Sequence, residues 1–74
     1  MKYYIIYHNE NDHTIYLYWN DDKKENDWTN DFDLAIKFKS NEDALNVIDV
    51  MNRKYSDMMV TFNMNTLEIN KCQN

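Results

Sequence analysis

Glycine and proline are both missing from the 74 residues, and with them go the residues that usually build phosphate-cradling loops and sharp turns. Asparagine takes over that role. Asn9, Asn11, Asn20, Asn26, Asn30, Asn63 and Asn65 all fall where turns are expected, and Asn tolerates left-handed backbone better than almost any other residue with a side chain. Cysteine is nearly missing too: Cys72 stands alone, so no internal disulfide is expected, which fits a reducing cytoplasm. No GxGxxG, phosphate loop or CxxC is present, and no Ser or Cys is set beside a usable His. Nucleophilic catalysis therefore has no candidate residue, no cofactor is implied, and the chain is not expected to be an enzyme. The apolar run in MKYYIIYHN ends too soon in Asn, Glu and Asp to act as a signal peptide or a membrane span. A basic excess is also lacking. Thirteen acids against eight bases give a formal net charge of −5, which argues against direct binding to nucleic acid or to an anionic membrane and suits a basic protein surface.

The strongest positive signal lies in residues 40–55, SNEDALNVIDVMNRKY. Ser40 is a good N-cap, its hydroxyl placed to accept the Asp43 N–H, and Glu42 and Asp43 sit at the positive end of the helix dipole with Arg53 and Lys54 at the other. Ala44, Val47, Ile48, Met51 and Tyr55, with Leu45 alongside, form one apolar stripe, and Asn46, Asp49 and Arg53 lie opposite it. Asp49 and Arg53 are spaced for an ion pair worth about 0.2–0.5 kcal/mol. The spacing predicts one amphipathic core helix over about 41–55.

Residues 2–8 and 14–20 are rich in Tyr, Ile and Trp and are separated by Asn9, Glu10, Asn11 and Asp12, which reads as a β-hairpin. On the second strand Ile15, Leu17 and Trp19 share the face expected to meet the helix, which turns Tyr16 and Tyr18 away from it. The register of the first strand stays open. A four-residue loop sets Tyr4 and Ile6 beside Ile15 and Leu17, whereas a five-residue loop sets Tyr3, Ile5 and Tyr7 there. Residues 20–31 read as a long solvated loop, 31–35 as a helical turn capped by Asn30 or Thr29, and 36–39 as a short strand that faces Phe38 to the core. After the helix, 58–63 alternates like a strand, 63–66 reads as a turn and 67–70 as a last strand. The fold class is α+β: a single domain over 1–74 with a small, mostly antiparallel sheet of three to five strands and one long helix on one face.

His8 and His13 flank the first turn near Glu10 and Asp12, but a zinc site usually needs three or four ligands, so both read as surface residues and no metal is expected. Asp21, Asp22, Glu25, Asp27, Asp31 and Asp33, bracketed by Trp19 and Trp28, form the most suggestive surface feature. One reading is a solubility-promoting loop diluted by Lys23 and Lys24. The other is an acidic mimic of nucleic-acid phosphates that occupies a basic cleft, with Trp28 as aromatic anchor. Tyr16 and Tyr18 supply a second feature, an open sheet face that is covered by the loop, by a partner protein or by a second copy in a homodimer.

The run of Trp28, then Asp31-Phe32-Asp33-Leu34-Ala35-Ile36-Lys37-Phe38, then Ser40-Asn41-Glu42-Asp43-Ala44 resembles the short accessory proteins of phages and other mobile elements of Gram-positive bacteria. The likeness covers residues 28–44, is structural, and carries no functional residue onto this chain. It implies a protein that meets bacterial machinery, as small, acidic, non-enzymatic anti-CRISPR inhibitors do. The expected function is thus a non-enzymatic inhibitor in the cytoplasm, of the host cell if phage-encoded. Its expected target is a bacterial defence or nucleic-acid-processing protein, most concretely a CRISPR effector nuclease. The expected partner-binding residues are Asp21, Asp22, Glu25, Asp27, Trp28, Asp31, Asp33, Tyr16 and Tyr18. The alternative is a structural or regulatory module that homodimerises through its Tyr-rich face.

Overall fold

Asn11 and Asp12 both take left-handed backbone, with φ of 46° and 67°, and make a two-residue turn between β1 (Lys2–Glu10) and β2 (His13–Asn20). That is the primed geometry whose twist suits a hairpin, reached here by Asn and Asp in place of glycine. The computed structural model describes residues 2–70, so the reading of Cys72 lies outside the described residues. The pairing of Glu10 with His13 and His8 with Ile15 settles the register: Tyr4, Ile6 and His8 share a face with Ile15 and Leu17. This is the face assignment of the longer four-residue loop, reached with a tighter turn. Of the seven asparagines read as turn residues, Asn11 alone is left-handed, and Asn9, Asn26 and Asn65 lie inside strands.

The long solvated loop expected over 20–31 is a second hairpin. Asn20 Oδ1 accepts the N–H groups of Asp22 (3.1 Å) and Lys23 (3.2 Å), Lys24 closes the turn at φ 54°, and β3 (Glu25–Thr29) pairs antiparallel with β2. Its charge-dense sequence hid the strand, because Trp28 is its one apolar residue: Trp28 and Asn26 turn to the helix side, Asp27 and Thr29 face away, and Glu25 at the strand's start reaches the helix only through its carboxylate. A 3-10 turn (Phe32–Leu34) follows, capped by Asp31 through its own carboxylate rather than by Asn30 or Thr29.

β1 and β2 part beyond Tyr7 and Tyr16, and the chain after the 3-10 turn fills the gap. Ile36 donates its N–H to the Leu17 carbonyl (3.1 Å), and Phe38 exchanges two backbone bonds with Tyr4 (2.8 and 2.9 Å). The short strand expected at 36–39 is thus a single bridge at Phe38. On the far side of β1 lies β4 (Asn65–Asn70), giving a four-stranded antiparallel sheet in the order β3-β2-β1-β4. The strand expected over 58–63 does not form; that stretch is the helix end and irregular chain, and β4 starts at Asn65, inside the expected 63–66 turn.

The helix α1 (Asn41–Asp57) begins at the expected cap, with Ser40 Oγ accepting the Asp43 N–H at 3.1 Å, and carries the expected Arg53–Asp49 pair at 2.6 Å. It ends in a Schellman arrangement. Val60 N–H bonds the Tyr55 carbonyl and Met59 N–H the Ser56 carbonyl, with Met59 left-handed at φ 58° where glycine usually sits. Ala44 and Met51 pack on Ile6 and Leu17, ringed by Tyr4, Trp28, Ile36, Phe38, Val47, Ile48, Tyr55 and Met64. Leu45, expected beside the stripe, is instead exposed. Burying a side chain such as Leu17 is worth about 1.5–3 kcal/mol, so these few contacts hold the two layers together.

Candidate partner-binding surface

Ile5 and Ile6 are adjacent in sequence and both 0% exposed, so the sheet is covered on both faces at the middle of β1. The helix covers the side of Ile6. On the other side the chain leaving β3 passes over β2, and Phe32 meets the Tyr16 ring edge-on at 5.3 Å and 89°. The sheet face expected to stand open is therefore partly roofed by the chain itself. What remains is a band of half-buried tyrosines, Tyr3 and Tyr7 from β1 and Tyr16 and Tyr18 from β2. Exposed Phe32 and Leu34 border it on one side, and the Lys37 ammonium lies 5.7 Å over the Tyr3 ring on the other. Tyr3 and Tyr7 join the band because the two-residue Asn11-Asp12 turn sets the hairpin register, which the spacing of apolar residues alone does not fix.

The predicted acidic residues divide into two groups. Asp27 lies opposite Tyr18 across the β2–β3 ladder, and Asp31 and Asp33 sit on the 3-10 turn beside Tyr16, so these three border the tyrosine band. Asp21 and Asp22 lie at the tip of the second hairpin, where Asp21 is held by Lys24 at 2.8 Å, and Glu25 follows at the start of β3 with Lys54 of the helix 3.7 Å away. Two of the carboxylates also serve the backbone: Asp27 accepts the Trp28 N–H at 2.8 Å and Asp31 accepts the Asp33 N–H at 3.0 Å.

Trp28 does not join them. Its side chain turns to the helix side, donates its indole N–H to the Tyr55 hydroxyl at 2.9 Å and stacks on Phe62 at 5.6 Å and 23°, in a cluster that includes His8. The aromatic anchor expected in the acidic surface is a half-buried core residue, because the alternation that turns Asp27 outward turns Trp28 inward. His8 and His13 are also separated in role. His8 packs against Phe62 with Nδ1 3.1 Å from the Asn63 carbonyl, while His13 lines a shallow groove of about 400 Å³ with Glu10, Ile15 and Trp28. Among the described residues no three of His, Cys, Asp and Glu gather as metal ligands, and no helix is long and apolar enough to cross a membrane.

No protein-family model, curated protein or solved structure matches the chain.

Proposed function

We propose that the protein is a non-enzymatic binding module whose working surface is the tyrosine band with its acidic border. It would meet a basic protein surface, most concretely the nucleic-acid cleft of a CRISPR effector nuclease or related bacterial protein in the host cytoplasm, and inhibit by occupying it. The observation that supports this reading is the placement of Asp27, Asp31 and Asp33 beside Tyr16 and Tyr18. Carboxylates so placed present the sign of field that a phosphate backbone presents, and half-exposed tyrosines supply contact area at low entropy cost. Charge gives the approach rate and the ring faces give the contact.

Nuclease cleavage assays with increasing amounts of the chain, at low and high salt, test the reading. Inhibition should saturate near one chain per effector and weaken steeply as salt rises. Replacing Asp27 and Asp31 with Asn and Asp33 with Lys should abolish it with the fold intact, since an Asn carbonyl still accepts the N–H groups of Trp28 and Asp33. Inhibition that survives the triple substitution removes the acidic border from the mechanism.

A further inference from the structure

The sheet has two edges, and their backbone groups are in opposite conditions. Tyr4 gives both its N–H and its carbonyl to Phe38, so these groups point away from β4, where its partner is Glu68. A pair of that kind turns the backbone of both residues outward, so the N–H and C=O of Glu68 face the open edge, and by alternation so do those of Thr66 and Asn70. The same logic at the other edge starts from Leu17, whose carbonyl takes the Ile36 N–H and so points away from Trp28. The outward N–H groups there belong to Trp28 and, by the same alternation, Asn26, and the Asp27 carboxylate closes that of Trp28 at 2.8 Å. Edge β3 is thus partly capped, and it is acidic. Edge β4 carries neither device: it has no Lys or Pro, Leu67 is 44% exposed, and its one charge, Glu68, is drawn back to Lys2 (3.2 Å) and the Tyr4 hydroxyl (3.3 Å).

We propose that β4 pairs antiparallel with β4 of a second copy of this chain, on a two-fold axis at Leu67. Thr66 of each copy then exchanges backbone bonds with Glu68 of the other, and the two Leu67 side chains meet in a close, non-hydrogen-bonded pair about 4.5 Å apart at Cα. Charge selects this occupant and this edge. The acids at 21, 22, 25, 27, 31 and 33 lie on or next to β3, three strands from β4, so the dimer carries its two acidic ends at opposite extremes. Seven strand spacings separate the two β3 strands by about 34 Å, well beyond the roughly 8–10 Å screening length at ordinary ionic strength. Pairing through β3 would instead set Glu25 and Asp27 of one copy against those of the other. Because both outer edges of the dimer are β3 strands that carry Glu25 and Asp27, like charge disfavours further pairing there and the assembly closes at two copies.

The ladder is short, residues 65–69 of each copy, so the dimer is concentration-dependent. This mode uses the sheet edge and leaves the tyrosine band free, so it stands or falls apart from the inhibitory reading.

Sedimentation of the full chain across a dilution series tests it, with amide exchange as a second readout. The mass should rise about two-fold with concentration, and the Thr66 and Glu68 amides should become protected in step. Thr66→Pro, which removes an outward N–H, and Leu67→Lys should each hold the chain at monomer mass with its circular dichroism unchanged; if the proline variant fails to fold, Leu67→Lys alone decides. A wild-type chain that stays monomeric throughout overturns the proposal. So does a dimer that survives Leu67→Lys, or one dispersed by Tyr18→Glu and not by Leu67→Lys.

Discussion

Four residues without the freedom of glycine hold left-handed backbone: Asn11, Asp12, Lys24 and Met59. For Asn and Asp this is routine, but for a lysine or a methionine the conformation costs about 1–2 kcal/mol against the right-handed alternative. Met59 is the clearest case, because its side chain is 95% exposed and has little packing to lose. Met59→Gly should therefore raise stability by about 1 kcal/mol, read as a higher urea midpoint at unchanged slope. Lys24→Gly should gain similarly, since the pair it gives up with Asp21 is solvent-exposed at both ends. Inside the molecule the expected sign reverses. Tyr55→Phe removes the acceptor of the Trp28 indole N–H and should cost about 1 kcal/mol or somewhat more, because the donor is left half-buried without its partner. At this scale the chain was only partly readable. A protein without glycine must place its left-handed residues somewhere, and asparagine was the reasonable guess at Asn11; nothing in MMV or DKKE marks Met59 or Lys24, whose backbone is set by the helix end and the hairpin closing around them.

Among the elements, the helix was legible from Ser40 onward because cap, dipole and apolar period agree there, and agreement between independent local signals is what makes an element readable. Its cap carries a direct test: Ser40→Ala leaves the Asp43 N–H without its acceptor and should destabilise by about 1 kcal/mol, while Ser40→Asp should cost little. The strand β3 was not legible, for a physical reason. Asp27 and Thr29 face away from the helix and Glu25 reaches only Lys54 on it, so the apolar signal falls to Trp28 alone, and the strand exists because β2 offers a ladder and Asn20 builds the turn. The opposite error occurred at 58–63, where Met, Val and Phe alternate as a strand does, yet the stretch serves to end the helix and bring Phe62 onto Trp28, Tyr55 and His8. For the candidate site, missing β3 had a specific consequence. A loop would impose no alternation and leave Trp28 with the acids, whereas the strand separates it from Asp27 by half a period.

For the molecule as a whole, the question is whether its charges help or hinder the fold. Four ion pairs join described residues, Lys2–Glu68, Lys24–Asp21, Arg53–Asp49 and Lys54–Glu25, and every one has both side chains substantially exposed. Such pairs are worth about 0–1 kcal/mol each, and nine of the thirteen carboxylates stand outside them. Many of those nine are concentrated at the β3 side, within reach of one another when the screening length is about 30 Å at 0.01 M salt, and largely hidden from one another at about 10 Å near 0.1 M. The core that must resist this repulsion is thin: Ile5, Ile6, Leu17, Ala35, Ala44 and Met51 are its buried apolar residues. The shape is extended, 45 × 26 × 25 Å, with a radius of gyration of 12.6 Å where a compact chain of this length gives roughly 11 Å. Repulsion should therefore outweigh the attraction of the exposed pairs, and the melting temperature should rise as sodium chloride is raised from about 0.01 to 0.2 M. The Asp22→Asn variant, which removes one charge from the crowded end, should melt higher at low salt and converge on the parent at high salt. A melting temperature that falls with added salt in both proteins would mean that the ion pairs carry the balance, and that the acids at 21–33 are spaced too widely to repel.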